Sequence, residues 1–188
     1  MDRRNKGTSF TALSVLGGMT ALVMSACGST TAWKDYASSP GKYSVSMPGT
    51  PEEETKAIPA PNGEKINMEI AQLDLGKEAF MVAFMEFPGD AKPPMPIQQL
   101  MSAAIKGAVA SSINGKVSSE KETKVNGVPC RDFQATGKFK SEDASMAGKF
   151  CFSENRLYQV LAMGKNTEKA FDDKATKFLT SFKITGQS

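Results

Sequence analysis

Residues 126–164, NGVPCRDFQATGKFKSEDASMAGKFCFSENRLYQVLAMG, contain two runs in which apolar and polar side chains alternate, followed by a more apolar third run. Alternation is typical of half-buried β-strands, because successive side chains of a strand point to opposite faces of the sheet. The polar segment 140–145 predicts the turn between the first two strands, and residues 156–164 continue the sheet. Connections of hairpin length favour antiparallel pairing.

The segments that precede this stretch supply further strands. Alternating residues predict strands in 42–48 and 64–74, and a weaker strand in 54–60. The nearly continuous apolar run 78–88 predicts a central strand, because such a strand is buried on both faces. Residues 116–129 are largely polar and predict an edge strand followed by a turn.

Two segments have the period of an amphipathic helix instead. In residues 97–113 the apolar positions recur at the helical spacing: Ile97, Leu100, Met101, Ala104, Ile105, Ala108, Val109 and Ile113. In residues 166–184 they form one stripe: Phe171, Ala175, Phe178, Leu179 and Phe182. The order of strands, helix, strands and helix predicts an α+β fold in which an antiparallel sheet is sandwiched by two helices, an α-β-α arrangement.

The amino-terminal segment has the features of an export signal. Arg3, Arg4 and Lys6 precede a short apolar region that ends in small residues, which is typical of a secretory signal peptide. The sequence Met24-Ser25-Ala26-Cys27 resembles a bacterial lipobox, in which the cysteine becomes the first residue of the mature protein and is acylated. The alternative is an ordinary cleavable signal that happens to contain a cysteine.

The lipobox predicts the division of the chain. Residues 1–26 are predicted to be a lipoprotein signal peptide, residues 27–32 a lipidated flexible leash, and residues 33–188 a single domain. The acyl chains on Cys27, of the palmitate type, would insert into the lipid bilayer, and two or three chains give stable anchoring. The predicted location is the extracytoplasmic face of a bacterial membrane. Because Gly28 is not an aspartate, that membrane is predicted to be the outer membrane, which borders the periplasm, in a host that has one.

Two cysteines remain in the exported domain, where oxidation is favoured. Strand parity places Cys130 and Cys151 on one face of the predicted hairpin, the more polar one, with Phe133 and Phe150 on the other. Direct pairing of the cysteines places the centre of the hairpin near residues 140 and 141. We therefore predict a cross-strand disulfide, and the alternative is two buried free thiols.

Several of these segments together resemble one known family. They are SSPGKYSVSMPGTP, the long apolar strand, the mid-chain helix, NGVPCRDFQATGK, NRLYQVLAMG and the terminal FLTSFKI. The chain over residues 33–186 is similar to the PsbP-like superfamily, which includes PsbP, Mog-type proteins and DcrB-like bacterial lipoproteins. The resemblance implies an α-β-α sandwich and a non-enzymatic protein that binds or helps assemble a partner. The family pattern has glycine where Cys130 stands, so the disulfide is a local addition.

The composition argues against several classes of function. The absence of histidine removes the commonest general base and zinc ligand, and the net charge of +3 is too small for a nucleic-acid-binding face. The acidic run 52–54 lacks the spaced oxygens of a calcium loop and predicts a solvated loop. Met81, Met85, Met95 and Met101 could suit Cu(I), but methionine is an ordinary core residue. No metal site and no cofactor are predicted.

These observations favour a membrane-anchored lipoprotein that acts as a non-enzymatic binding or assembly-accessory domain. Its predicted partners are the lipid bilayer, through acylated Cys27, and a membrane or envelope protein. Trp33 and Tyr36 are predicted to close the edge of the fold rather than to bind a ligand. The main alternative is a carrier of a small apolar ligand, with a pocket between helix 97–113 and the sheet. A hydrolase would require a Ser-Lys pair.

Overall fold

The computed structural model describes residues 32–59, 65–87, 95–139, 141–165 and 169–186. Cys27 and the rest of residues 1–31, which contain the predicted signal peptide and most of the predicted leash, lie outside these residues. The elements follow in the order β1 (Lys34–Ser38), β2 (Tyr43–Met47), β3 (Glu52–Pro59), β4 (Lys65–Asp74), β5 (Glu78–Glu86), α1 (Ile97–Ile113), β6 (Lys116–Val125), β7 (Val128–Phe139), β8 (Glu142–Ser153), β9 (Arg156–Lys165), α2 (Lys169–Ser181) and β10 (Lys183–Ile184).

Seven strands form the main sheet, in the order β3-β4-β5-β9-β8-β7-β6, with every neighbouring pair antiparallel. The predicted edge strand is confirmed, because β6 ends the sheet. The apolar run of β5 lies inside the sheet as expected, although β9 takes the middle position. The turn between β7 and β8 is tighter than the predicted 140–145, because Phe139 already pairs with Glu142.

The two helices pack on opposite faces of this sheet, which confirms the α+β fold class. In α1 the apolar stripe is buried at Met101, Ile105, Val109 and Ile113, and it packs against Phe133 and Phe150. The helix ends at Asn114, which adopts the left-handed conformation that asparagine tolerates better than most residues. The buried side chains of α2, Phe171, Ala175 and Phe178, belong to the core on the other face.

A second, three-stranded sheet lies on the α2 side and was not expected from the sequence. Its order is β1-β2-β10, and Tyr43, Val45 and Met47 of β2 are almost fully buried in the core shared with α2. The strand β10 has only two residues. It lies near the end of the domain sequence and pairs with β2, which lies near its beginning. Neither β1 nor β10 has an alternating pattern long enough to predict a strand.

This second layer corrects the environment predicted for the cysteines. Cys130 and Cys151 are opposite each other in the register of β7 and β8 and are joined by a disulfide. They are not on a polar surface, because both are 0% exposed and lie in the core with β2 and α2. Gln134, on the same face of β7, is exposed and lines a cavity beside α2.

Two glycines allow the end of α1 to approach β7 closely. A Cβ atom at Gly137 would lie 2.6 Å from the Cα of Gly115 and still closer to the carbonyl oxygen of Ile113. These are backbone atoms of the segment that leaves α1, so they cannot move aside as a flexible side chain could. The contact sets how closely the helix can sit on the sheet.

We expect Gly137→Ala to destabilise the domain by about 1–3 kcal/mol, the usual cost of overpacking. The matched control is Gly107→Ala, which is in the exposed middle of α1 with nothing within 4 Å of the added methyl group. That change is expected to stabilise the domain by about 0.5–1 kcal/mol, because alanine favours a helix over glycine. Urea denaturation of both variants measures the difference, and equal effects would contradict the close contact.

The disulfide closes a loop with a sequence separation of 21, and the chain-entropy estimate for such a loop is about 3 kcal/mol. We expect the free energy of unfolding to fall by about this amount when the oxidised protein is reduced. The double variant Cys130→Ala/Cys151→Ala is the control, because its stability should not respond to reductant. Two free thiols in the protein isolated without reductant, detected by mass spectrometry, would show that the bond does not form.

Candidate functional site

A cleft with a volume of about 340 Å³ separates the edge strands of the two sheets. Its walls come from β1 and the turn that follows it, from β3 and β4, and from Phe84 of β5. We call it the Tyr36 cleft, and its principal residues are Tyr36, Tyr43, Glu53, Glu69 and Phe84. Tyr36 and Tyr43 come from the three-stranded sheet, whereas Glu53, Glu69 and Phe84 come from the main sheet, where Glu69 and Phe84 are cross-strand partners.

The register of the strands explains why these side chains meet. Glu53 pairs with Ala71 and Thr55 pairs with Glu69, so both glutamates point from adjacent strands to the same face of the main sheet. That face is the one on which the three-stranded sheet packs. The cleft remains open because β1 and β3 are the edge strands of their sheets.

Tyr43 is the centre of a cluster of aromatic rings. Its ring lies 5.8–6.4 Å, between centroids, from the rings of Tyr36, Phe84, Tyr158 and Phe182. Gly41 permits this packing, because a Cβ atom there would come within 2.6 Å of the Tyr43 ring. The cluster is therefore part of the core and cannot shift without disturbing the attachment of the small sheet.

Hydrogen bonds connect the tyrosines of the cleft to a carboxylate. The Tyr36 hydroxyl donates to Oε1 of Glu53 over 2.8 Å, and the hydroxyl of Tyr43 interacts with that of Tyr36. Burial, followed by the hydrogen bond to Glu53 and its charge, raises the pKa of Tyr36 to about 12. Burial and the neighbouring Tyr36 raise the pKa of Tyr43 further. Both hydroxyls therefore remain protonated donors at neutral pH.

The two carboxylates of the cleft differ from most others in the domain. Glu54, Glu86 and Glu120 each lie within 2.9 Å of a lysine or arginine nitrogen. Within the described part of the chain, no such ion pair involves Glu53 or Glu69. Glu69 also makes no hydrogen bond there through its side chain. The cleft thus carries negative charge that the described residues do not neutralise.

A second cavity, of about 480 Å³, lies between α2 and strands β6, β7 and β8. Its lining is mixed: Ser119, Lys121, Asp132, Phe133, Gln134, Ala147, Gly148, Asp172, Ala175, Thr176 and Leu179. Beside it, the almost fully buried Lys149 forms an ion pair with Asp132, and its Nζ lies 3.5 Å from the Thr123 hydroxyl. This lysine has a carboxylate partner rather than a serine partner, so it does not provide the Ser-Lys pair that a hydrolase would need.

A third, apolar cavity of about 240 Å³ lies beside the end of α1 and is lined by Met81, Met146 and Met163 among others. Ser112, in the last turn of helix 97–113, lines this cavity, which lies beside the helix and not in the predicted place between the helix and the sheet. Beneath the helix itself there is direct packing, because Met101 is fully buried in the core.

The remaining residues singled out from the sequence have structural roles. Trp33 packs edge-on against Phe80, and the Nζ of Lys177 lies 4.3 Å from the centroid of its ring, so Trp33 closes the edge of the fold as predicted. The acidic run 52–54 is not a loop but the start of β3. Sequence reasoning therefore missed Glu53 and Glu69 as site residues, and only the alternation within β3 and β4 could have indicated that they share a face.

Two further features of the described residues concern metal ions and membranes. No three His, Cys, Asp or Glu side chains among them are placed to hold a metal ion together. None of their helices combines the length and the apolar character needed to cross a bilayer.

Comparison with known proteins establishes the fold. No protein-family model and no curated sequence matches the chain. The solved structure of the cyanobacterial PsbP protein CyanoP from Synechocystis is similar, with a TM-score of 0.55 and 10% identity over 90% of this chain and 98% of that one. At that identity the likeness concerns the fold alone, and it confirms the expected PsbP-like architecture.

Two other solved structures are less similar. One is LpqN of Mycobacterium tuberculosis, described as involved in cell envelope biogenesis, with a TM-score of 0.45 and 16% identity over 82% of this chain and 79% of that one. The other is a Pseudomonas aeruginosa protein of unknown function, with a TM-score of 0.43 and 8% identity over 77% of this chain and 91% of that one.

The raised tyrosine pKa values predict how stability depends on alkaline pH. The folded state keeps the Tyr36 proton up to a pKa of about 12, whereas the unfolded chain loses it near the ordinary value of 10.0. Stability should therefore be unaffected below about pH 10 and should fall as the pH rises from there towards 12. Tyr43 and Tyr158, whose pKa values are also raised mainly by burial, act in the same direction.

Ultraviolet absorbance of tyrosinate, followed together with circular dichroism, tests this expectation. We expect the three tyrosines to ionise only as the domain unfolds. The variant Tyr36→Phe lacks the hydroxyl contact with Glu53. Its two remaining tyrosines, Tyr43 and Tyr158, should still ionise only as the domain unfolds. Ionisation of a tyrosine near pH 10 in a domain with intact secondary structure would contradict the hydrogen-bonded arrangement of the cleft.

Proposed function

We propose that this protein is a lipid-anchored, non-enzymatic binding domain on the extracytoplasmic face of a bacterial membrane, where it docks onto a membrane or envelope protein. The observation that carries this proposal is the lipobox-like segment 24–27, which lies only a few residues before the folded domain. Five residues, 28–32, lie between the acylation site Cys27 and Trp33. A fully extended segment of that length spans at most about 20 Å.

The contacts of Trp33 support the idea of a short tether. Its ring lies 6.4 Å from that of Phe80 and under the ammonium group of Lys177, so the chain is fixed to the domain where the leash ends. Anchored acyl chains would hold such a domain close to the bilayer surface. Confinement of this kind raises the effective concentration of the domain near a membrane partner without any additional contact.

The chemistry of the cavities favours binding over catalysis. A general acid or base works best with a pKa near the working pH, whereas the pKa of Tyr36 is about 12 and that of Tyr43 is raised further. The buried lysine, Lys149, is paired with Asp132. The chain has no histidine to take the place of these groups.

A carrier of a small apolar molecule is the second candidate, and the methionine-lined cavity beside α1 favours it. The volume of about 240 Å³ is below the range of about 300–1,000 Å³ that is typical of ligand pockets. It would suit only a compact apolar molecule. This role would not require an anchor, so the state of Cys27 separates the two candidates.

The test is the intact mass of the mature protein extracted from native membranes. We expect a mass that corresponds to residues 27–188 with a diacylglyceryl group, and with a third acyl chain where the new amino terminus is modified. In Cys27→Ser this mass should disappear and the protein should no longer fractionate with membranes. An unmodified, freely soluble product from the wild-type chain would contradict anchoring and would favour the carrier.

A further inference from the structure

The Tyr36 cleft has the shape of a slot that is open along its side. It lies between β1 and β3, the edge strands of the two sheets, and the hydrogen bond from Tyr36 to Glu53 joins its two walls. Its volume of about 340 Å³ is enough for one long side chain. A group can therefore enter the cleft from the side, while the backbone that carries it remains outside.

The lining of the cleft is complementary to a positive charge. Glu53 and Glu69 are on adjacent strands of one face, and neither has a lysine or arginine partner among the described residues. Burial is the main cause of the raised pKa values of Tyr36 and Tyr43, and the negative charges of both glutamates add to it. Of the aromatic rings in the cleft, the half-buried ring of Tyr36 is accessible to a cation, whereas Tyr43 and Phe84 are buried, and cations are attracted to aromatic faces.

We propose that the Tyr36 cleft binds the guanidinium or ammonium group of a lysine or arginine side chain presented by a protein partner. The identity of the partner as a membrane or envelope protein rests on the function proposed above, but the recognition chemistry does not. Glu53 and Glu69 accept the charged hydrogen bonds, and Tyr36 holds Glu53 in position. An ion pair between a guanidinium and a carboxylate is among the stronger hydrogen-bonded contacts in proteins.

The strand beside the cleft explains why a protein is the expected source of this group. β3 is an edge strand, so the backbone groups on its outer side have no strand partner in the sheet. An extended segment could pair with such an edge and place alternate side chains on one face. Glu52, Glu53 and Glu54 make this edge acidic at its start, so the complementary segment is basic.

The experiment is a calorimetric titration of the full-length chain in detergent with a short blocked peptide that contains one arginine. The same peptide with citrulline, which is neutral and nearly the same shape, is the matched ligand control. We expect the arginine peptide to bind at least about tenfold more tightly, because charge-assisted hydrogen bonds to two carboxylates are lost with citrulline. Binding should weaken as the salt concentration rises.

The variant that tests the site is Glu53→Gln/Glu69→Gln, which we expect to weaken binding of the arginine peptide by about tenfold or more. Glu122→Gln is the matched control, because it removes an exposed carboxylate from the other edge strand, β6, and leaves Arg131 paired with Glu120. It should leave the affinity unchanged. Thermal unfolding of each variant shows that the fold is retained.

Three outcomes would overturn the proposal. The first is that the arginine peptide binds no more tightly than the citrulline peptide, or does not bind at all. The second is that the double variant does not change the affinity for the arginine peptide. The third is that the free guanidinium compound agmatine binds at least tenfold more tightly than the peptide. The last would make a small molecule the source of the cation. The titration needs no membrane, so its failure would leave lipid anchoring intact, and an unacylated Cys27 would leave the cleft intact.

Discussion

The interior strands of the seven-stranded sheet are buried on both faces, and the rest of the structure depends on this constraint. In β9, Tyr158, Val160 and Ala162 face one core, whereas Leu157 and Leu161 face the other. A sheet with two apolar faces is stable in water only when both are covered. One helix covers one face, and the other face requires α2 together with the small sheet.

Local patterns in the sequence were sufficient to predict β2, the strands of the main sheet and both helices, because each rests on a pattern within one segment. The register of the cysteine hairpin followed from parity together with the expected direct pairing of Cys130 and Cys151, which the structure contains. The three-stranded sheet could not be predicted in this way. Its pairing joins β2 to β10, and the bond from the Ser46 amide to the Ser181 hydroxyl connects residues 135 positions apart.

The same limit explains the misplaced environment of the disulfide and the missed site residues. Cys130 and Cys151 share a strand face with polar residues such as Asp132, Lys149 and Ser153. The pattern therefore indicates a solvent-exposed face, and only the second layer buries the cysteines. Glu53 and Tyr36 become neighbours because two sheets stack, which no periodicity within β1 or β3 records. The candidate site depends on packing between the two sheets, and it could not be predicted from the sequence for that reason.

The late position of β10 in the chain has a consequence for biogenesis. The small sheet needs Lys183 and Ile184 as partners for β2, and these residues are synthesised long after the main sheet. Until they emerge, one face of that sheet lacks part of its cover, and the nascent chain has no complete native state to reach. In the exported lipoprotein proposed above, a closing step encoded at the far end of the domain would delay folding and thereby keep the chain competent for translocation.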